Sequence, residues 1–144
     1  MRKYFVVSAI VFTGMICGFG FIPLHENQQS GKAASVARGK ELYKQYCLTC
    51  HQADAGGVPR MTPPLIKTKQ ILGDKKQLIS IVLDGLTGEI EVEDEIYNGT
   101  MPPLKSVLKD QQVADVLTYI RNSFTNKASV VTASEVKAVR AKLK

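Results

Sequence analysis

Cys47-Leu48-Thr49-Cys50-His51 is the stretch on which the reading of this 144-residue chain turns. A helical stretch over residues 35–45, SVARGKELYKQ, leads into it, with Val36, Gly39, Leu42, Tyr43 and Tyr46 spaced along one side. Behind it come Gly56, Gly57, Pro59, Pro63 and Pro64, a loop with neither helical nor strand period. Two thiols and an imidazole within five residues are a chemical site. A thioredoxin-like pair wants a strand before it and a helix after, the reverse of what stands here. Half a zinc site needs a second Cys or His pair downstream, and none stands beyond His51. A bare disulfide across the two-residue spacer stays open in an oxidising compartment.

The spacing C-x-x-C-H is that of c-type haem attachment. Each thiol adds across one haem vinyl group, and a helical turn puts both sulfurs on the same porphyrin edge. The adjacent His51 then reaches the iron as proximal ligand. Such a group also accounts for the next stretch: about 23 residues without regular structure need something to wrap in so small a domain. For the sixth iron position, a second histidine would have to be His25, which lies in the polar segment 25–34 (HENQQSGKAA) read as a linker. Of the downstream thioethers, Met101 stands in YNGTMPPL, where Gly99, Pro102 and Pro103 enforce a stiff irregular backbone. Met61, ten residues past His51, belongs to the loop expected on the proximal side. The reading takes Met101 as distal ligand, with Met61 or an open position as alternatives.

The remaining chain supplies a small, mostly helical domain. Residues 1–24 start with Arg2 and Lys3 and continue as an uncharged run from Tyr4 to Leu24, read as a signal peptide cleaved after Gly20 or as an N-terminal membrane anchor. Either would export the domain to the periplasm. Cleavage would remove Arg2, Lys3 and Cys17, lowering the net charge from +6 to +4 and leaving Cys47 and Cys50 as an even pair. Asp74 is placed to cap a helix through KKQLISIVLDGL with Leu78, Ile81, Val82 and Gly85 inward. Residues 88–97 alternate imperfectly and read as a short hairpin, although Glu93-Asp94 lacks the glycine of a good two-residue turn. The strongest helical stripe is Val113, Val116, Leu117, Ile120 and Phe124 in DQQVADVLTYIRNSF. Thr132 and Glu135 form a capping-box pattern ahead of a last helix with Val136, Val139 and Leu143 on its edge. With 22% charged residues and a modest +6, nothing argues for nucleic acid, and no carboxylate pair, Ser/His arrangement or phosphate loop suggests an enzyme.

These motifs together resemble a class I monohaem cytochrome c over residues 35–126, the remainder, 127–144, forming a C-terminal helical extension. The match rests on Gly39, Tyr43, CLTCH, Pro63-Pro64-Leu65, YNGTMPP and VADVLTYIRNSF. The resemblance implies an all-α fold of three to five helices around one covalently bound haem c. The first and last helices of that fold would cross at Gly39, and Tyr43 would meet the Leu117/Ile120 face. It implies that the His51 ring donates to the carbonyl of Pro63 and that Leu65 packs on the porphyrin. The implied haem-binding set is Cys47, Cys50, His51, Pro63, Leu65, Tyr97 and Met101, with iron between His51 and Met101. The function implied is one-electron transfer, with no open iron position for substrate. GEIEVEDEIYNGTMPPL and the C-terminal segments are similar to cytochrome modules of periplasmic quinoprotein dehydrogenases and copper nitrite reductases. A periplasmic dehydrogenase, oxidase or nitrite reductase is thus the expected redox partner, and a membrane only if residues 1–24 stay attached. A subunit of such a complex, and a haem sensor or peroxidase-like enzyme in which Met101 leaves the iron, are the alternatives. Lys44, Arg60, Lys67, Lys69, Lys75, Lys76 and Lys105 flank the segments expected at the haem edge, either as a docking face or as ordinary solvated charge.

Overall fold

The structure, a computed structural model, describes residues 25–143, so the leader or anchor read in 1–24 lies outside the described residues. Among the described residues, six helices and one hairpin are arranged in chain order: α1 His25–Tyr46, α2 Leu48–His51, α3 Lys69–Leu72, α4 Lys75–Asp84, β1 Ile90–Val92, β2 Glu95–Tyr97, α5 Asp110–Arg121 and α6 Ala133–Arg140. The expected mostly helical fold with a short hairpin is what the chain adopts.

The α1/α5 pair is the frame. At Gly39 a Cβ would lie 2.0 Å from the Asp115 carbonyl oxygen and 2.7 Å from Tyr119 Cβ, so only glycine lets the two backbones meet there. Asp115, 2% exposed, locks the crossing. Its carboxylate accepts from Ser35 Oγ at 2.6 Å, Arg38 Nε at 2.7 Å, Arg38 Nη2 at 2.8 Å and Gln111 Nε2 at 2.9 Å. Tyr43 is buried, and the rings it meets are Tyr119 and Phe124, at centroid distances of 5.5 and 5.3 Å. Its hydroxyl donates to the Gln52 carbonyl, 2.7 Å away, tying α1 to the end of α2.

Three expectations need correction. Residues 25–34 are helical, the first turns of α1, rather than an irregular linker. Their residues from Gln29 on are exposed, so no apolar stripe marks the helix; without Pro or β-branched residues the segment simply extends a helix anchored further on. The long loop after His51 contains α3, a single turn capped by Thr68, whose Oγ1 accepts from the Ile71 amide. The helix containing Val113 stops at Arg121, so Phe124 joins the aromatic cluster from beyond its end, in a left-handed conformation (φ 53°).

The other elements keep to their local rules. Asp74 accepts from the Lys76 amide at 2.9 Å and starts α4, which ends at Gly85 (φ 76°). The buried side of α4 is Leu78, Ile79, Val82 and Leu83, with Ile81 less covered. In the hairpin Ile90 pairs with Tyr97 and Val92 with Glu95, across a turn in which Glu93 and Asp94 both have positive φ (50° and 65°). Glu93 finds compensation, its Oε1 accepting from the Lys69 amide at 3.0 Å. Where Lys109 offers no capping hydroxyl, the Gln112 side chain accepts from its amide at 2.9 Å and opens α5. The capping box of Thr132 and Glu135 is formed.

Residues 127–143 pack into the same core. Val131, Val136 and Val139 are buried, and Arg140 reaches Asp110 Oδ1 at 2.6 Å and the Leu108 carbonyl at 2.8 Å. Asn126 stitches the ends together: it donates to Leu65 O and Ile120 O, both at 2.8 Å, and accepts from the Lys67 amide.

Candidate functional site

Between α1/α2, the Pro63 loop, α3, α4, β1, the Met101 loop and α5 lies a cavity of about 300 Å³. Leu65, Ile71, Leu78, Ile81, Val82, Leu86, Val116, Leu117 and Ile120 line it, and so do Cys47, Cys50, His51, Pro63 and Met101. Six of the seven residues expected at the site are therefore brought together. Tyr97 is not among the lining residues; from this hairpin Ile90, Glu91 and Val92 of the paired strand line the cavity instead. Tyr97 is the direct cross-strand partner of Ile90 and shares its face of the hairpin, but it stands on the strand further from the cavity wall.

The thiols sit on one helical turn. The His51 and Cys50 amides donate to the Cys47 carbonyl at 2.9 and 3.2 Å, which places the two sulfur-bearing residues and the imidazole side by side. Cys47 and Cys50 are not joined to each other. Burial, reinforced by the neighbouring Cys50, pushes the Cys47 thiol up to about 11, so it is protonated at neutral pH. A neutral buried thiol is a poor metal ligand and redox nucleophile. A thioether, which carries no titrating proton, occupies such a place at no electrostatic cost. Among the described residues no three His, Cys, Asp or Glu side chains gather as a metal site of their own.

His51 Nδ1 lies 3.2 Å from the Pro63 carbonyl, which accepts its hydrogen and leaves Nε2 with the free lone pair. Burial holds the imidazole below its ordinary pKa, with the Pro63 carbonyl pulling the other way. The loop that carries Pro63 is tightly folded: Gly57 N–H donates to the His51 carbonyl at 3.1 Å, and a Cβ on Gly57 would strike Thr62 O at 2.2 Å. Met101 is held just as firmly. It exchanges both backbone hydrogen bonds with Leu86, at 2.9 and 3.0 Å, and a Cβ on Gly85 would meet its carbonyl at 2.3 Å. The Pro63 and Met101 loops also touch, through the Asn98 amide on Arg60 O at 2.9 Å and through Gly99, stacked on the Met61 carbonyl. Met61 lines the same cavity but is 62% exposed.

Adjacent thiols, an oriented imidazole and a thioether around one apolar hollow fit an iron porphyrin. Residues 36–124 match the sequence profile of the family described as Cytochrome c. The chain belongs to the cytochrome c family. It is 39% identical over 121 residues to cytochrome c-552 of Thermus thermophilus, covering 78% of this chain and 80% of that protein. It is 36% identical over 114 residues to the cytochrome c subunit of the quinone-type alcohol dehydrogenase of Gluconacetobacter polyoxogenes. To the gluconate 2-dehydrogenase cytochrome c subunit of Pantoea cypripedii it is 36% identical over 107 residues. Those matches cover 77% and 71% of this chain but only 24% of either subunit. As a class I monohaem cytochrome c the chain is an electron-transfer protein with a covalently bound haem c.

The basic residues expected at the haem edge are not uniformly available. Lys75 pairs with Glu135 and donates to the Val130 carbonyl, Lys105 donates to Leu143 O, and Lys44 pairs with Glu41. Lys67, Lys69 and Lys76 are exposed. Among the described residues no helix is long and apolar enough to cross a membrane.

Proposed function

We propose that this cytochrome c carries single electrons in the periplasm, its iron held between His51 Nε2 and the Met101 thioether. When bound, the haem supplies an iron that changes oxidation state by one electron. The chain does the rest. Pro63 fixes the His51 ring, and the Leu86–Met101 bridge fixes the thioether-bearing backbone. The apolar lining excludes water, which disfavours the more positively charged oxidised form and raises the potential. One observation carries the reading: an imidazole and a thioether, 50 residues apart in sequence, are both held rigidly on one apolar cavity that also contains the attachment thiols. With His51 and Met101 holding the iron, no position would be left open to a substrate, and the protein would act as a carrier rather than a catalyst.

The named relatives, cytochrome subunits of dehydrogenases, favour a dehydrogenase as electron donor, with the chain acting either as a separate carrier or as the cytochrome component of a complex. A terminal oxidase or nitrite reductase would serve as acceptor. The apolar run from Tyr4 to Leu24 exports the domain and, if retained, tethers it to the inner membrane.

The test of ligation is the oxidised visible spectrum. It should contain the weak sulfur-to-iron charge-transfer band, and Met101→Ala should abolish that band and admit cyanide rapidly while leaving the haem covalently attached. An unchanged band in Met101→Ala, lost instead in Met61→Ala, would assign the thioether to the other loop.

A further inference from the structure

In a cavity lined mainly by hydrocarbon, two polar groups of the α3 turn are unspent. Gln70 lines the cavity, and its Oε1 is the one buried side-chain nitrogen or oxygen among the described residues without a hydrogen-bond partner. Its Nε2 is engaged, donating to the Glu91 carbonyl at 3.3 Å, and this fixes which end of the amide is left over. Thr68 lines the cavity too and is 1% exposed. Its Oγ1 accepts from the Ile71 amide, and its hydroxyl hydrogen has no acceptor among the described residues. A buried acceptor and a buried donor left open two residues apart need an explanation.

A haem offers one. It carries two carboxyl arms on the edge away from the vinyl groups, so attachment through Cys47 and Cys50 directs those arms to parts of the cavity wall that do not carry the thiols. An ionised carboxylate has only acceptors and would leave Gln70 Oε1 facing another oxygen. A protonated carboxyl satisfies both groups. We propose that Thr68 and Gln70 hold one carboxyl group of the haem as the neutral acid, Thr68 donating to its carbonyl oxygen and Gln70 accepting its proton. The assignment rests on the haem reading above.

Charged groups stand around this turn on every element packed against it. Lys69 is on α3 itself, Glu91 and Glu93 are on the hairpin, Lys75 and Lys76 are on α4, and the Arg121 guanidinium of α5 donates to the Ile71 and Gly73 carbonyls. The glutamates favour the neutral acid and the cations oppose it. When the acid ionises, its proton leaves to solvent and a negative charge remains beside the haem. That charge favours the oxidised iron, so the midpoint potential must fall as pH rises through the titration.

The experiment is a redox titration of the holoprotein across the acid-to-alkaline range, paired with the carboxylic C=O stretch in its reduced-minus-oxidised infrared difference spectrum. Gln70→Leu removes the partner of the neutral acid and should move the titration about one pH unit lower, a tenfold change in proton affinity. Thr68→Val removes a donor that serves the carboxylate more strongly than the acid, and should move it higher. Thr68→Ser should behave as wild type. A wild-type potential independent of pH, an absent C=O stretch, or both variants shifting in the same direction would overturn the assignment. If Thr68→Val does not fold, Gln70→Leu decides alone, since an unmoved titration there also sinks it. Haem mass is measured on each protein, so a wild type lacking haem would be recognised as a failure of the haem reading.

Discussion

Asp115 and Gly39 show how much of this molecule is decided at single positions. Burial pushes the Asp115 carboxyl up, but hydrogen bonds from Arg38, Ser35 and Gln111 and the Arg38 charge outweigh it and hold the group below its ordinary value of 3.8. A carboxylate depressed on folding stabilises the protein above its unfolded pKa and loses that contribution as pH falls through the folded one. Asp115→Asn should therefore cost about 1–3 kcal/mol at neutral pH. It should also remove part of the acid-side loss of stability below about pH 4, both read from denaturant melts at several pH values. Gly39→Ala places a methyl group where Asp115 O already stands, and should cost about 1–3 kcal/mol by overpacking. At Pro63 the essential group is the backbone carbonyl. Pro63→Ala should keep the haem and shift the potential only modestly, as measured by redox titration. A large fall in potential or loss of the haem would place the control in the proline ring instead of the carbonyl.

Among the elements, those that bury a periodic stripe were legible, and those without one, the first turns of α1 and the single turn of α3, were not. α5, α4 and α6 follow from periodic apolar residues with caps at Asp74 and Thr132, and Gly39 and Pro63-Pro64-Leu65 located the helix crossing and the proximal loop. The first turns of α1 carry no stripe, so polar composition was mistaken for a linker. α3 is one turn long, set by the Thr68 cap and by Arg121 on its carbonyls, contacts made by residues far away in sequence. The hairpin turn formed without glycine because Glu93 gains a bond to the Lys69 amide. Glu93→Gly should relieve the positive φ but lose that bond, leaving stability within about 1 kcal/mol of wild type in thermal melts. Tyr97 lay in a recognised motif, yet β1 supplies the cavity wall through Ile90, Glu91 and Val92, and Tyr97 pairs with Ile90 from β2.

At the scale of the whole molecule, the haem cavity and the C-terminal residues share one core. Val131, Val136 and Val139 are buried against it, each worth about 1.5–3 kcal/mol, so deletion of 127–144 should destabilise the holoprotein by several kcal/mol in denaturant unfolding. The bound group replaces side chains that so small a core lacks, and this makes attachment a condition of the fold as much as of electron transfer. Weighing the mature native protein, with its reduced-minus-oxidised spectrum recorded on the same sample, is therefore the most direct measurement. A mass exceeding that of the polypeptide by one haem, with the sharp bands of a six-coordinate reduced c-type centre, is the predicted result; a colourless protein with the bare polypeptide mass would contradict it.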